Sequence, residues 1–310
     1  MIKRRESSKL MGAVSADSKV PQASRSAASN EKDSKFRLCF NPSTIMGQGL
    51  GLIRPIEIAA EVGYDGIEIW IRDIDKYLKE GNSFSTLKNV IRSSGLSVEC
   101  AIGYANWIVE DDEQRRQGFI QMEKEMNMVA ELECRRIASP PAGFDQRSDL
   151  DYLKAGERYR QLVELGRKTG VMPQLEVWGP SKSLFNMGQA LLIAAVADDP
   201  DVRILADVFH LYKGGSGFNS LKMLNGNIIE IFHINDYPGN IPREEQRDED
   251  RVYPGDGVAP MTEILTDLQK MGGTKVLSLE LFNEDYWKQD PVEVATTGLK
   301  KMKEQVNKVL

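Results

Sequence analysis

The feature that most constrains the fold is an alternation of two kinds of segment, which begins at Phe36 and continues to the C-terminus. Short apolar runs typical of buried strands alternate with amphipathic stretches of helical period, separated by Gly, Pro, Asn or Asp. Eight runs are predicted as strands, at 37–41, 66–71, 97–102, 136–139, 173–178, 202–207, 228–233 and 275–281. Eight strands, each followed by a helix or a segment long enough for one, predict a single-domain (β/α)₈ barrel, or TIM barrel, over residues 36–310.

Helices are predicted between and after these strands, at 55–62, 87–94, 113–132, 150–168, 184–197, 261–271 and 291–309. The alternative arrangement for alternating strands and helices is an open doubly wound sheet, which usually carries a glycine-rich phosphate turn after an early strand. The sequence contains no G-x-G-x-x-G or P-loop motif. The pattern therefore favours the barrel.

Composition excludes several classes of function. The chain has a net charge of −6 and no block rich in Lys or Arg, which argues against general affinity for nucleic acid. No apolar run reaches the roughly 18 residues that would cross a membrane. Cys39, Cys100 and Cys134 lie in or beside apolar runs without C-x-x-C spacing, so we expect buried small side chains and not a disulfide or zinc framework.

The N-terminal residues 1–35 differ in character from the rest, because they are rich in Ser, Ala, Lys and Arg and lack a sustained hydrophobic period. Arg4 and Arg5, with a short apolar stretch from Leu10 to Val14, resemble a twin-arginine export signal. Asp17 interrupts the longer apolar region that such signals carry. Two alternatives are open: a disordered tail on a cytoplasmic protein, or an altered export signal on a periplasmic one.

Four residues able to bind a metal ion stand at a common level of four consecutive strands: Glu176, Asp207, His233 and Glu280. They lie at or near the C-terminal ends of the fifth to eighth strands, and in a (β/α)₈ barrel those ends converge on one face. Three carboxylates and one imidazole suit Mn²⁺, Mg²⁺ or Co²⁺ better than a structural zinc ion. We therefore predict one divalent metal ion, with Mn²⁺ favoured and Mg²⁺, Co²⁺ or Zn²⁺ as alternatives.

Each of these residues alone has a simpler explanation, because a carboxylate at a strand end usually caps a helix and a histidine on an apolar strand usually belongs to the core. The set as a whole is harder to explain in that way. The chain has only two histidines, His210 and His233, and both lie at or just beyond a strand end. Carboxylates beside apolar strands are costly to bury unless they are paired or bound to metal.

The segments that carry these residues resemble the metal-site strands of the sugar phosphate isomerase/epimerase family, the xylose-isomerase-like barrels that include ketose 3-epimerases and inosose isomerases and dehydratases. The matching stretches are Leu175–Trp178, Ala206–His210, Phe232–Asp236, Leu279–Phe282 and, with the family's Arg followed by P-G-x-G, Arg251–Gly257. The resemblance extends from about Phe36 to the C-terminus and implies the barrel fold, a divalent metal ion and a sugar-like substrate. In related barrels a homodimer is common.

By this resemblance, Glu176 and Glu280 are both metal ligands and the acid–base pair. One takes a proton from a carbon beside a carbonyl group, and the other returns a proton. His210, in an Asp-x-x-His pattern with Asp207, and Arg251 match residues that contact the substrate. Such a C–H group is a weak acid, and a metal ion that polarises the neighbouring oxygens makes the enediolate accessible.

Further pocket residues are expected from their positions beyond the early strands. Glu68 in the second strand and Trp107 after the third are predicted to contact substrate, with a structural hydrogen bond and simple packing as the respective alternatives. Lys182 and Lys213 project from loops on the same face and could meet an anionic group, although an exposed lysine needs no ligand.

The segment 242–250 is long and charged and resembles an insertion relative to the shorter connection of the epimerases. It could form a lid or an oligomer contact. Its Arg243 could replace or assist Arg251, so the assignment of the substrate-binding arginine has two candidates.

The sequence thus predicts a metal-dependent isomerase or epimerase of a sugar or sugar-like ketose. A metal-dependent lyase or dehydratase acting on a keto-sugar or inosose shares the first proton abstraction and stays open as the alternative. A non-catalytic carbohydrate-binding barrel would not need both Glu176 and Glu280. A phosphodiesterase of the endonuclease IV type requires a zinc cluster with several histidines, which this chain does not have.

Overall fold

A computed structural model describes residues 36–310, and in that range eight parallel strands form a closed barrel with sequential neighbours paired and β8 paired to β1. The predicted (β/α)₈ barrel is therefore confirmed. The proposed tail or export signal at 1–35 lies outside the described residues. The strands are β1 Phe36–Phe40, β2 Gly66–Trp70, β3 Ser97–Ile102, β4 Arg136–Ser139, β5 Met172–Glu176, β6 Ile204–Asp207, β7 Ile231–Ile234 and β8 Lys275–Leu279.

Nine α-helices are formed by the described residues. They are α1 Ile53–Val62, α2 Ile71–Lys79, α3 Phe84–Ser94, α4 Asp112–Ala130, α5 Tyr152–Thr169, α6 Met187–Ala197, α7 Val208–Lys213, α8 Met261–Met271 and α9 Pro291–Val306. Two of them, α2 and α7, were not predicted. Both begin at the residue after a strand, without the Gly, Pro or polar break that marks the other boundaries, and most residues of α7 are buried, which removes its amphipathic period.

Strand register pairs two of the candidate ligands directly and offsets each of the other two from its neighbour by two residues. Asp207 pairs with His233 across β6 and β7, and Ile234 pairs with Leu279 across β7 and β8. Glu280 therefore follows the last residue of β8, next to the end of β7. Because side chains alternate along a strand, residues two apart point to the same side.

A small apolar cluster fills the barrel interior and consists of Cys39, Cys100, Leu205, Ile231 and Val276. Asp207 lies two residues after Leu205 and His233 two residues after Ile231, so both continue this inward-facing layer toward the C-terminal face. The three cysteines are buried and free, as predicted. Among the described residues, no helix is both long and apolar enough to cross a membrane.

Candidate metal and catalytic site

Three of the four predicted metal ligands come together at the C-terminal face of the barrel. Asp207, His233 and Glu280 each offer a ligand atom within 4.8 Å of the others, and all three are buried. His233 Nδ1 lies 3.1 Å from Glu280 Oε2 and 3.8 Å from Asp207 Oδ2. Two carboxylate oxygens and one imidazole nitrogen are a donor set that divalent cations bind.

Unpartnered polar atoms in this cluster support the fit to a cation. Within the described part of the chain, neither ring nitrogen of His233 has a hydrogen bond of good geometry, and Glu176 Oε2 is buried without a partner. Buried polar atoms are normally satisfied, so each exception requires an explanation. A cation bound between Asp207, His233 and Glu280 would satisfy Nδ1, the His233 nitrogen that faces both carboxylates, so the residues present fit a divalent metal ion.

Glu68 lies beneath the cluster and supports its imidazole. Its Oε2 atom lies 3.0 Å from His233 Nε2 and accepts hydrogen bonds from Asn41 Nδ2 at 2.8 Å and Ser278 Oγ at 2.6 Å. The carboxylate is completely buried and does not line the cavity described below. A carboxylate on the far nitrogen of a metal-binding histidine favours the tautomer whose other nitrogen is free to bind metal.

Two asparagines hold the carboxylates of the cluster in place. Asn41 donates from Nδ2 to Glu280 Oε1 at 3.1 Å, in addition to its bond with Glu68. Asn235 donates from Nδ2 to Asp207 Oδ2 at 2.9 Å. Asp207 Oδ1 accepts from the backbone N–H of His210 at 2.8 Å and so also caps α7.

Arg251 is the cation of the site and is almost completely buried. Its Nη1 donates to Asp207 Oδ2 at 3.0 Å and to Glu280 Oε2 at 2.9 Å. Its Nη2 donates to Asp248 Oδ1 at 2.6 Å and lies 3.2 Å from His210 Nε2. The guanidinium thus compensates the buried carboxylates, which would otherwise repel one another.

A cavity of about 360 Å³ opens above these residues and has room for a small molecule. Glu176, His210, Arg251 and Glu280 line it, so the fourth predicted ligand faces the same space as one member of the three-residue cluster, Glu280. Aromatic side chains form much of the remaining wall, with ring centroids 5.8 to 6.4 Å apart, namely Trp70, Tyr104, Trp178 and Phe282. Such rings offer apolar faces to the C–H groups of a sugar-like ring.

The two proposed acid–base groups have opposite electrostatic surroundings. Burial raises the pKa of Glu176 to about 8, with the charge of Glu280 adding to the rise and that of His233 opposing it. Burial acts to raise the pKa of Glu280 as well, but His233 and Arg251 outweigh it and lower that pKa to about 2. In the cation-free site these two pKa values lie on opposite sides of neutrality, a difference that suits an acid–base pair.

The remaining predicted residues divide into two groups. His210 and Arg251 line the cavity. Trp107 does not: it is completely buried, its Nε1 donates to the Pro140 carbonyl at 2.8 Å, and its ring packs against Tyr159. Lys182 is exposed beside the cavity-lining Ser181 and does not itself line the cavity.

The segment 242–250 contributes a residue that sequence analysis missed. Asp248 lines the cavity and holds Arg251, whereas Arg243 is paired with Glu244 outside the cavity. Lys213 donates to the backbone carbonyls of Arg243 and Glu244 and does not line the cavity. The arginine that reaches the candidate site is therefore Arg251.

Metal binding is expected to release a proton and to strengthen as the pH rises. Burial acts to lower the pKa of His233, but the Glu280 and Glu68 carboxylates outweigh it and raise this pKa well above its usual value. The imidazole must lose its proton before it binds metal, so apparent affinity should increase with pH up to that raised pKa. Calorimetric titration with Mn²⁺ or Zn²⁺ between about pH 6 and 8, in buffers of different ionisation enthalpy, counts the protons released. The variant His233→Gln is the control, and pH-independent affinity without proton release would contradict the expectation.

Comparisons with known proteins agree with this arrangement. Residues 56–305 match the family model described as a xylose isomerase-like TIM barrel. An inosose isomerase of Bacillus licheniformis is 28% identical over 279 residues, which cover 88% of this chain and 99% of that relative. A fructoselysine 3-epimerase of Escherichia coli O157:H7 is 24% identical over 238 residues, covering 72% and 82%. The crystal structure of the IOLI protein with a bound zinc atom matches with a TM-score of 0.82 at 26% identity, covering 88% of this chain and 99% of that one.

Proposed function

The chain belongs to the xylose isomerase-like TIM barrel family, and on this premise we propose that it is a divalent-metal-dependent isomerase or epimerase of a sugar or sugar-like ketose. The observation that carries the proposal is the convergence of Asp207, His233 and Glu280 within 4.8 Å, beside a cavity that Glu176 and Glu280 line. A carbohydrate-binding protein would have no need of such a cluster. Relatives named as inosose isomerases and fructoselysine 3-epimerases support a keto-polyol as substrate.

Asp207, His233 and Glu280 would hold the metal ion, with Glu176 as the proposed fourth ligand. The chemistry supplied by a bound divalent cation would be Lewis acidity, which polarises a ketone and lowers the pKa of the adjacent C–H group. Mn²⁺ remains the cation expected from the oxygen-rich donor set, and the zinc in the IOLI structure makes Zn²⁺ the first comparison.

The chain's own residues move the proton. Glu176 projects from the end of β5 and Glu280 from the end of β8, with β6 and β7 between them, so they reach a bound substrate from different directions. The ionised carboxylate takes the proton from the carbon beside the ketone and leaves an enediolate. The protonated carboxyl then donates a proton to the other face of the same carbon, giving an epimer. Alternatively it donates the proton to the neighbouring carbon while the hydroxyl proton moves to the former ketone oxygen, giving an isomer.

His210 and Arg251 orient the substrate in this scheme. Arg251 Nε is buried without a hydrogen-bond partner among the described residues, as is His210 Nδ1. These two atoms have almost no accessible surface, so contact with the substrate falls to the parts of both side chains that line the cavity. The aromatic wall shields the reacting carbon, so solvent protons reach this carbon through the two carboxyl groups and not directly.

The test is deuterium incorporation. Protein loaded with Mn²⁺, Zn²⁺, Co²⁺ or Mg²⁺ is incubated in D₂O with inososes and with ketohexoses, and the substrates are followed by NMR. We expect metal-dependent incorporation of deuterium beside the ketone, together with an isomeric product. Incorporation without metal, or none in any substrate and metal combination, would contradict the proposal, and a dehydrated product would contradict the assignment as an isomerase or epimerase.

A further inference from the structure

The segment from Pro238 to Asp250, here called the β7–α8 segment, is held in a defined position over the site. Its base is closed by two hydrogen bonds between the backbones of Asp236 and Val252, at 2.9 and 3.0 Å. Gln246 is buried within it and donates from Nε2 to the carbonyls of Pro238 and Ile241. Lys213 of α7 donates to two further carbonyls of the segment, so its conformation is anchored from inside and outside.

This anchoring presents Asp248 to the cavity. Its Oδ1 accepts from Arg251 Nη2 at 2.6 Å, and its side chain makes no other hydrogen bond within residues 36–310. The residue is partly exposed and lines the cavity. One carboxylate oxygen is therefore engaged by the protein, while the other has no partner within that range and can accept a hydrogen bond, in a residue that lines the cavity.

The charges around the cavity are unfavourable to an anion. Four carboxyl side chains line it, those of Asp145, Glu176, Asp248 and Glu280, against two guanidinium groups. Arg251 already gives Nη1 and Nη2 to carboxylates, so it cannot offer the two-pronged contact with which arginine binds a phosphoryl group.

The second guanidinium, that of Arg72, lies at the mouth of the cavity. About half of its side chain is exposed, and its guanidinium carbon lies 4.2 Å from the centre of the Trp70 ring. An ion pair formed there would be screened by water and would contribute little. The side chains that line the cavity thus offer hydrogen-bond acceptors for hydroxyl groups but little positive charge to balance a phosphoryl group.

We propose that Asp248 is a specificity-determining residue, which accepts a hydrogen bond from a hydroxyl group of an unphosphorylated keto-polyol and disfavours substrates that carry a phosphoryl group. This inference rests on the proposed function. On this inference, the β7–α8 segment determines which substrate binds, and the residues at the strand ends carry out the proton transfer.

The test compares Asp248→Asn with Glu249→Gln in metal-loaded protein. In Asp248→Asn the amide oxygen turns to Arg251, so the NH₂ group faces the cavity and the acceptor is lost. Glu249→Gln removes the same charge from the exposed neighbouring residue, which does not line the cavity. The probes are D-fructose and D-fructose 6-phosphate for deuterium exchange, and myo-inositol and its 1-phosphate for calorimetric binding.

For Asp248→Asn we expect a loss of about 10-fold or more in exchange and affinity for the unphosphorylated probes, the usual effect of losing a hydrogen bond to a charged group. Exchange of and affinity for the phosphorylated probes should fall less or even rise. The preference for the unphosphorylated probe over the phosphorylated one therefore decreases. Glu249→Gln should change the exchange rate or the affinity for any of the probes by no more than about 2-fold. Asp248→Ala, which has no side-chain amide, should also lower the preference for the unphosphorylated probes over the phosphorylated ones.

Failure of this inference and failure of the proposed function give different results. If the wild type exchanges deuterium but its preference for neutral probes is the same in Asp248→Asn, the role of Asp248 is refuted and the isomerase proposal stands. If no exchange occurs but binding of myo-inositol falls in Asp248→Asn alone, the specificity role stands and the catalytic proposal fails. The inference is overturned if wild type and Asp248→Asn behave alike with every probe. It is also overturned if neither protein binds any of them.

Discussion

Replacing Glu176 by glutamine is expected to reduce proton exchange and turnover by about 10²- to 10⁴-fold, the usual contribution of a positioned acid–base group. Glutamine has nearly the same shape but cannot hold a transferable proton. The Asp207–His233–Glu280 cluster is complete without Glu176, so metal binding should survive, and the variant is assayed at saturating metal. The measurement is the rate of deuterium incorporation, with metal content determined on the same sample.

Glu125→Gln is the matched control for this experiment. Glu125 is also a buried glutamate, with a pKa raised by burial and an Oε2 atom that lacks a partner, but it lies on α4 and does not line the cavity. Its replacement should leave exchange unchanged within about 2-fold. Full exchange in metal-loaded Glu176→Gln would end its role as an acid–base group.

Replacing His233 by glutamine is expected to weaken metal binding by more than about 100-fold. Loss of a residue that only supports a ligand commonly costs 10- to 100-fold in affinity, and loss of the ligand itself should cost more. The effect is measured as a dissociation constant by competition with a chelator, and as the rise in Tm that metal gives to the wild type.

His210→Gln is the control, because the chain contains only these two histidines. His210 touches Arg251 but is not part of the three-residue cluster, so we expect its replacement to impair turnover while the metal affinity stays within about 10-fold. If His233→Gln does not fold, Asp207→Asn is used instead, since asparagine retains the cap on α7. Equal metal affinity in wild type and His233→Gln would remove the basis of the proposed site.

The sequence predicted the barrel and most of its site because both follow from periodic features. Alternating strand and helix patterns determine the fold, and side chains at successive strand ends are brought together by barrel geometry alone. Asp207, His233 and Glu280 lie close together for this reason. Whether Glu176 joins them as a ligand or acts only on the proton depends on distances that spacing along the chain does not define.

The parts that sequence analysis missed depend on contacts across the fold. Asn41 and Asn235 are single amides at strand ends, and nothing local in the sequence shows that each bonds a carboxylate at the end of a neighbouring strand. Asp248 stands in a run of charges that is indistinguishable in sequence from a solvated loop. Trp107 follows a strand as pocket residues do, yet its indole N–H is satisfied by the buried Pro140 carbonyl.

The closed base of the β7–α8 segment has a consequence for the evolution of this barrel. Asp236 not only pairs with Val252 but also accepts from the backbone N–H groups of Gly255 and Ala259 through its carboxylate, both at 2.9 Å. The chain on either side is therefore joined without help from the residues in between. The sequence of such an excursion can therefore change while His233 keeps its place, so a new substrate preference need not alter the residues at the strand ends.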